Sequence, residues 1–489
     1  MRIAHVTPEI APLAKAGGLG DVAAALPVAQ ARAGHDVTVV VPGHPAVVAA
    51  VEPADARLPV ACRLGGETLW GEARIGRHRG VRLVALVHDR FFARPGIYGE
   101  NHVSYPDNGE RFGWFCGAAR DALRRLPGGP PDAVVCHDWP AALLPLLIRV
   151  HGDPLDPLAD AGTLQVIHNL AHQGVFPLEL AHRLEIPALW LDEQGAEALG
   201  RLNMLKAGIR FASYVVTVSP TYAREIVWPY RGEGLHRELH ARGDDLVGIL
   251  NGLDTETWDP ARDPHLAARY DAGDLRGKHE CKRALQRELG LGEDPRAPLF
   301  GMVSRIDRQK GIPLVAAVAP WLADEGAQFA LLGSGDRDLL APLEALARDR
   351  PRSVAVVSAF DEGLAHRIYA GADFFVMPSL FEPCGLGQMV AMRYGTPPVV
   401  RRTGGLADTV VDVDESPEHG TGFVFDHPDP GGLRWACGRA LAVYRRDVAA
   451  LDALRRRGMQ CDFSWTVPAA RYEALLARAR RRESARVLR

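Results

Sequence analysis

Two loops of this chain combine a lysine with glycines where a strand gives way to a helix. The first is K-A-G-G-L-G-D at 15–21, in which Gly17, Gly18 and Gly20 permit close backbone approach beside Lys15. A helix N-terminus offers unpaired amides and a positive dipole end, so such a loop suits an anion. It matches neither the G-x-G-x-x-G fingerprint nor the P-loop, which argues against a dinucleotide enzyme or a Walker ATPase. The second is S-R-I-D-R-Q-K-G at 304–311, where Arg305 and Lys310 could converge on a diphosphate and Gly311 eases the helix start. Only five of the 57 basic residues are lysines, at positions 15, 206, 278, 282 and 310. Ammonium and guanidinium are not interchangeable around a phosphate, so the two loop lysines are singled out as anion ligands.

A third segment, P-S-L-F-E-P-C-G-L-G-Q at 378–388, sets Glu382 just before glycines that open a helix. A carboxylate there can hold sugar hydroxyls, while the amides of Gly385, Leu386 and Gly387 can bind phosphate. Cys384 has no assigned base and reads as a small, semi-buried thiol rather than a nucleophile. C-H-D-W-P at 136–140 and I-H-N-L-A-H-Q-G at 167–174 each follow an apolar strand. Their histidines 137, 168 and 172 lack thiolate or H-E-x-x-H partners, which disfavours zinc. N-G-L-D-T-E-T-W at 251–258 and R-R-T-G-G-L-A-D-T-V at 401–410 add polar turns, and Gly404 and Gly405 are expected to face the same phosphates.

The elements that must position these loops alternate. Ile3–Thr7 is an apolar strand, a helical run reaches Gly34, and 36–42 (D-V-T-V-V-V-P) is a buried strand, which makes a βαβ unit and a parallel sheet. Apolar runs recur at 81–87, 132–136, 164–168 and 215–218. A second series begins near 298, with strands at 298–304, in Q-F-A-L-L, S-V-A-V-V, A-D-F-F-V-M and T-P-P-V-V. The pattern predicts an α/β protein of two doubly wound domains, with a boundary near 240–250. The arginine-rich end, 478–489, reads as a solvated helix terminus.

Composition narrows the class. The formal charge is −3 on 489 residues, so nucleic acid or an acidic membrane surface is not an expected partner. No secretory h-region or 18-residue apolar stretch is visible, and seven scattered cysteines never form C-x-x-C. These features suggest a cytoplasmic protein with reduced thiols.

Taken together, from K-A-G-G-L-G-D to F-S-W at 463–465, the segments resemble bacterial glycogen synthases and plant starch synthases. F-E-P-C-G-L together with R-R-T-G-G-L-A-D-T-V is the most specific part of the likeness. The resemblance implies a GT-B fold, two Rossmann-like domains facing a central cleft. The expected parts are 1–246 on the acceptor side, 247–462 for the nucleotide-sugar donor, and 463–489 crossing back. It implies α-1,4-glucosyl transfer from ADP-glucose to the non-reducing end of a glucan such as glycogen, with retention and without metal or cofactor. Carried over by motif, Lys15 and Gly18 contact the donor, Arg305 and Lys310 neutralise the departing diphosphate, and Glu382 holds glucosyl hydroxyls. Asp138, His168 and Asn251 line the sugar and acceptor side, and Phe360 stands where the family places a tyrosine against adenine.

The chain departs from the family pattern at Ala16, His172, Leu380 and Gly387 as well as at Phe360, none of which removes a proposed charged group. Two other readings fit the same residues: another retaining transferase using UDP-glucose or making a disaccharide, and a non-catalytic glucan-binding module. The retained Lys15, Arg305, Lys310 and Glu382 argue against the last.

Overall fold

The computed structural model describes residues 1–100, 103–150 and 155–487. Two compact units emerge: Met1–Gly252 with Trp465–Arg489, and Leu253–Ser464.

The first unit is built on a nine-stranded sheet. Strand Arg2–Val6 lies at its centre, with Asp36–Pro42 and then Val81–Val87 on one side, all parallel. On the other side follow Ala133–His137, Gly162–Ile167, Tyr214–Thr217 and Leu246–Gly248, also parallel. Because both faces are covered, these strands are almost continuously apolar; all but the first residue of D-V-T-V-V-V-P is buried. The chain order therefore reverses between Arg2–Val6 and Ala133–His137, and loops leaving the carboxyl ends there form the natural crevice of such a sheet.

One edge departs from the βαβ pattern. Ala56–Leu64 and Glu67–His78 form an antiparallel hairpin joined through Gly65 and Gly66, both at positive φ, and Glu67–His78 pairs antiparallel with Val81–Val87. A Gly-Gly pair between two alternating runs is the usual signal for such a hairpin.

The second unit holds six parallel strands. Leu299–Val303 is central, flanked by Gln328–Leu332 and Val354–Val357 on one side. Phe374–Met377, Pro398–Arg401 and Phe423–Phe425 continue the other side. Its order along the sheet is that of the dinucleotide-binding doubly wound fold, with the reversal between Leu299–Val303 and Phe374–Met377. A cluster including Phe300, Phe329, Phe374 and Phe423 forms its core.

The helix Thr466–Val487 packs on the first unit, against strand Gly162–Ile167 and helix Gly18–Arg32. Arg478, Arg480, Arg481 and Arg482 of its arginine-rich end are exposed, as expected of a solvated helix end, but the other face of the same turns is docked. Glu483 is buried and accepts from both terminal nitrogens of Arg149 (3.0 and 2.8 Å) and from Ser213 Oγ (2.9 Å). Arg482 pairs with Asp245 at 2.7 Å, and Arg478 and Arg482 both lie over the Tyr214 ring. Long arginine stems cover apolar surface while their heads find carboxylates, so basic composition alone does not reveal docking. Leu488 and Arg489 of that segment lie outside the described residues.

Candidate active site

In the second unit the loops leaving the strands at the order reversal bring the charged motif residues together. Glu382 is buried, and its Oε2 accepts from Lys310 Nζ at 2.6 Å and from Ser379 Oγ at 2.9 Å. Lys310 follows strand Leu299–Val303 and Glu382 follows Phe374–Met377, so neighbouring strand ends, 72 residues apart in sequence, supply the pair. Asp307 Oδ1 accepts the Lys310 amide (3.0 Å), and the Gln309 carbonyl accepts the Leu380 amide (2.7 Å), tying the two loops at their backbones. Arg305 is exposed and sits 3.3 Å from Asp307 Oδ2. An ammonium has three protons, so Lys310 can serve Glu382 and a phosphate oxygen at once.

Two glycines here are demanded by geometry. Gly311 caps helix Ile312–Asp324 at φ 72°, and a Cβ on it would meet the Pro378 carbonyl at 2.2 Å. Gly404, at φ 45°, opens helix Gly404–Thr409, and a Cβ would meet the Glu382 carbonyl at 1.9 Å. The T-G-G-L segment is thus pressed onto the F-E-P-C loop. The Gly405 amide donates to the Glu382 carbonyl at 3.0 Å, so this donor is spent inside the protein rather than kept for a phosphate. Gly387 opens helix Gly387–Arg393, directly after Gly385 and Leu386. Cys384 is buried, whereas Leu380 packs partly against the core of this unit. Phe360 lies in the loop after strand Val354–Val357 with 83% of its surface exposed, as a stacking platform needs.

The first unit gathers a different set at its own reversal. The Lys15 loop is exposed, and Lys15 pairs with Asp21 at 2.8 Å. Helix Gly18–Arg32 begins at Gly18, but the amides of Ala16 and Gly17 already donate to Glu9 Oε2 (2.8 and 2.9 Å). The anion at this helix start is therefore a buried side chain of the protein itself, and Tyr98 donates to its other oxygen at 2.8 Å. The sequence reading missed Glu9; its only local signal was a carboxylate after a proline, one turn ahead of the glycine loop.

Asp138 follows strand Ala133–His137 with φ +53°, a left-handed conformation that costs a non-glycine residue energy and is found at functional sites. Its Oδ1 accepts the His168 amide at 2.7 Å. Desolvation raises the carboxyl to about 7; the His168 and Asn169 amides oppose that rise and the Glu9 charge adds to it. His168 continues inward as a chain: its Nε2 lies 3.0 Å from His137 Nδ1, and His137 Nε2 lies 3.0 Å from His5 Nδ1. Burial lowers the imidazole of His5 to about 4 and that of His168 to about 3, and holds His137 well below its ordinary value. Asn251 is buried with its Oδ1 unpartnered among the described residues, while His172 is exposed. Among the described residues no group of three His, Cys, Asp or Glu is arranged to hold a metal, and no helix is long and apolar enough to cross a membrane.

The other three lysines are buried. Lys206 donates to the carbonyls of Glu193 and Glu197, and Lys282 pairs with Asp373 at 2.6 Å. Lys278 donates to the carbonyls of Ala370 and Tyr394 and to Thr396 Oγ1. Each places a compact ammonium among several oxygens, a role a planar guanidinium would not fill.

Known proteins match both units. Residues 2–241 match the family model of the starch synthase catalytic domain, and 297–442 that of glycosyl transferases group 1. A glycogen synthase of Anaeromyxobacter dehalogenans is 48% identical, covering 97% of this chain and 98% of its own length. One of Paracidovorax citrulli is 45% identical over 99% of this chain and 96% of its own. The catalytic domain of starch synthase IV from Arabidopsis thaliana, bound to ADP and acarbose, superposes with a TM-score of 0.90 at 35% identity, covering 98% of this chain and 99% of that one. Sucrose-phosphate synthase from Thermosynechococcus elongatus, at 21% identity and a TM-score of 0.61, shares the fold. With relatives this similar along nearly its whole length, the chain belongs to the glycogen synthase and starch synthase family, glycosyltransferases of GT-B fold that join a nucleotide-sugar donor to a glucan acceptor.

Proposed function

We propose that this cytoplasmic enzyme transfers glucose from ADP-glucose to the non-reducing end of an α-1,4-glucan such as glycogen, retaining the anomeric configuration and releasing ADP. The observation that carries the chemistry is the buried Lys310–Glu382 pair at the strand-order reversal, with Arg305 on the same loop. As the glucosyl–phosphate bond breaks, negative charge grows on the diphosphate and positive charge on the anomeric carbon. Lys310 and Arg305 stabilise the first, and the amides of Gly385 to Gly387 at the helix start assist them. Glu382, fixed by Lys310 and Ser379, holds glucosyl hydroxyls. Lys15 and Gly18 serve the donor from the first unit, and Phe360 stacks on the base. Asp138, His168 and Asn251 line the sugar and acceptor side. Retention follows from attack on the face the diphosphate leaves, its oxygen taking the acceptor hydroxyl's proton; no covalent carboxylate is invoked. Neither nucleic acid nor a membrane takes part, and the reaction needs no divalent cation.

Transfer assays with ADP-glucose or UDP-glucose, each with and without glycogen, test this reading. Glucan elongation from ADP-glucose is expected. Elongation from UDP-glucose alone, or glucan binding with no transfer from either donor, would replace it.

A further inference from the structure

The three histidines of the first unit form one continuous hydrogen-bonded line that ends on a helix. His5 lies in Arg2–Val6, His137 ends Ala133–His137, and His168 follows Gly162–Ile167, so the line crosses three adjacent strands. Its inner end is Gln30 of helix Gly18–Arg32, whose Oε1 lies 2.7 Å from His5 Nε2. Gln30, His5 and His137 are fully buried, whereas His168 is only partly so. His5 and His137 spend both ring nitrogens within the line, and His168 spends Nε2, leaving Nδ1 as the nitrogen available to a ligand.

A neutral imidazole has one N–H and one lone pair, so every link in such a line dictates the next. The Gln30 carbonyl oxygen can only accept, so His5 carries its proton on Nε2 and its Nδ1 is bare. That nitrogen must accept from His137 Nε2–H, which leaves His137 Nδ1 bare to accept from His168 Nε2–H. His168 Nδ1 is then a lone pair. The line is consistent only while His5 and His137 are neutral, and burial lowers all three imidazoles, including that of His168, whose Nδ1 is the free end of the line.

We propose that Gln30, His5 and His137 are positioning residues that lock His168 in its Nε2–H tautomer, so that it presents Nδ1 as a hydrogen-bond acceptor to a sugar hydroxyl. This rests on the reading of His168 as a sugar-side residue. The line itself touches no substrate. It gives the site an acceptor with a fixed proton count, where a solvated histidine would exchange tautomers and titrate near neutral pH.

The test is long-range ¹H–¹⁵N spectroscopy of the full-length protein labelled at histidine nitrogens, with His168→Ala assigning one signal set. At pH 7 the expected result is one shared sense: pyrrole-type Nε2 and pyridine-type Nδ1 at His5, His137 and His168, unchanged down to pH 5.5. Any ring of the three with the proton on Nδ1, or a His168 titrating near its ordinary value, would overturn the proposal; both are read on the unsubstituted protein once the signals are assigned. Gln30→Met removes the inner anchor while conserving size. It is expected to shift the His168 ring signals and lower kcat about tenfold, with the KM for the glucan changed less than twofold. A folded Gln30→Met protein with wild-type His168 signals would also sink it. His168→Ala separates the two claims, because full activity in that variant removes His168 from the sugar side whatever the tautomers prove to be.

Discussion

The two units place their polar residues at equivalent points of similarly ordered sheets yet build opposite electrostatic environments. The second unit concentrates formal charge: a buried Lys310–Glu382 pair and an exposed arginine on one loop. At its polar centre the first sets the buried carboxylate of Glu9 among amide and phenol donors and keeps the rest near neutral, with three histidines held uncharged and an Asp138 whose carboxyl is raised to about 7. The contrast follows the chemistry each is proposed to serve. A diphosphate leaving group needs preorganised positive charge, while sugar hydroxyls are better held by neutral donors and acceptors whose direction is known.

The contrast breaks most sharply at Lys310. Lys310→Ala is expected to lower kcat roughly 10²–10³-fold, the usual cost of one transition-state charge donor. It should also destabilise the fold by about 3–5 kcal/mol, because Glu382 is left buried without its counter-charge. Combining it with Glu382→Gln should recover part of that stability without recovering turnover, read by thermal unfolding and single-turnover transfer. If the single variant turns over normally, Lys310 leaves the mechanism.

Arg305→Ala separates charge from packing. Its side chain is exposed, so stability should change by less than about 0.5 kcal/mol. Turnover should still fall on the order of 10²-fold. An equal loss of stability at both positions would erase the distinction between a buried pair and an exposed cation.

Asp138 sharpens the other side. With a carboxyl near 7, kcat/KM is expected to show an ionisation there, measured between pH 5.5 and 8.5, and Asp138→Asn should abolish that limb. A limb that persists in the variant belongs to another group. The linkage signs of the first unit differ between its groups. Asp138 is raised, so it contributes stability below its unfolded value that is lost as pH rises through about 7. The histidines are lowered, so their contribution is complete above about 6.5 and is lost as pH falls toward 4 and 3. Three histidines outweigh one aspartate, and net loss of stability is expected on acidification from pH 6.5 to 4, followed by near-UV circular dichroism. A flat profile would mean the rings are not held neutral.

The smallest effect is expected at Cys384. Cys384→Ser swaps a buried thiol for a hydroxyl and should retain turnover within about threefold. Treatment with EDTA should likewise leave transfer unchanged; loss restored only by magnesium or manganese would contradict a site run on cations and amides.

The charged motif residues were legible because their chemistry is local. A lysine, a carboxylate and glycines at strand-to-helix junctions mark a candidate anion and sugar site before any fold is known. The parallel sheets were largely legible from short apolar runs separated by helical patterns, which marked every parallel strand but the three-residue edge strands Leu246–Gly248 and Phe423–Phe425. The hairpin at 56–78 was missed although Gly65 and Gly66 marked its turn, because the reading followed βαβ periodicity past it.

What sequence alone determined, then, was which groups could carry charge and which segments had to be buried strands. Tertiary structure decided which of those groups meet. His5 and His137 are 132 residues apart, and nothing near either announces a partner. They join because strands remote in sequence become neighbours at the reversal of the sheet. The same holds for Glu9 at the helix start, for the pairing of Arg149 with Glu483 across 334 residues, and for the value near 7 at Asp138. Desolvation and hydrogen-bond direction are properties of a place, and the place exists only once the sheet has assembled.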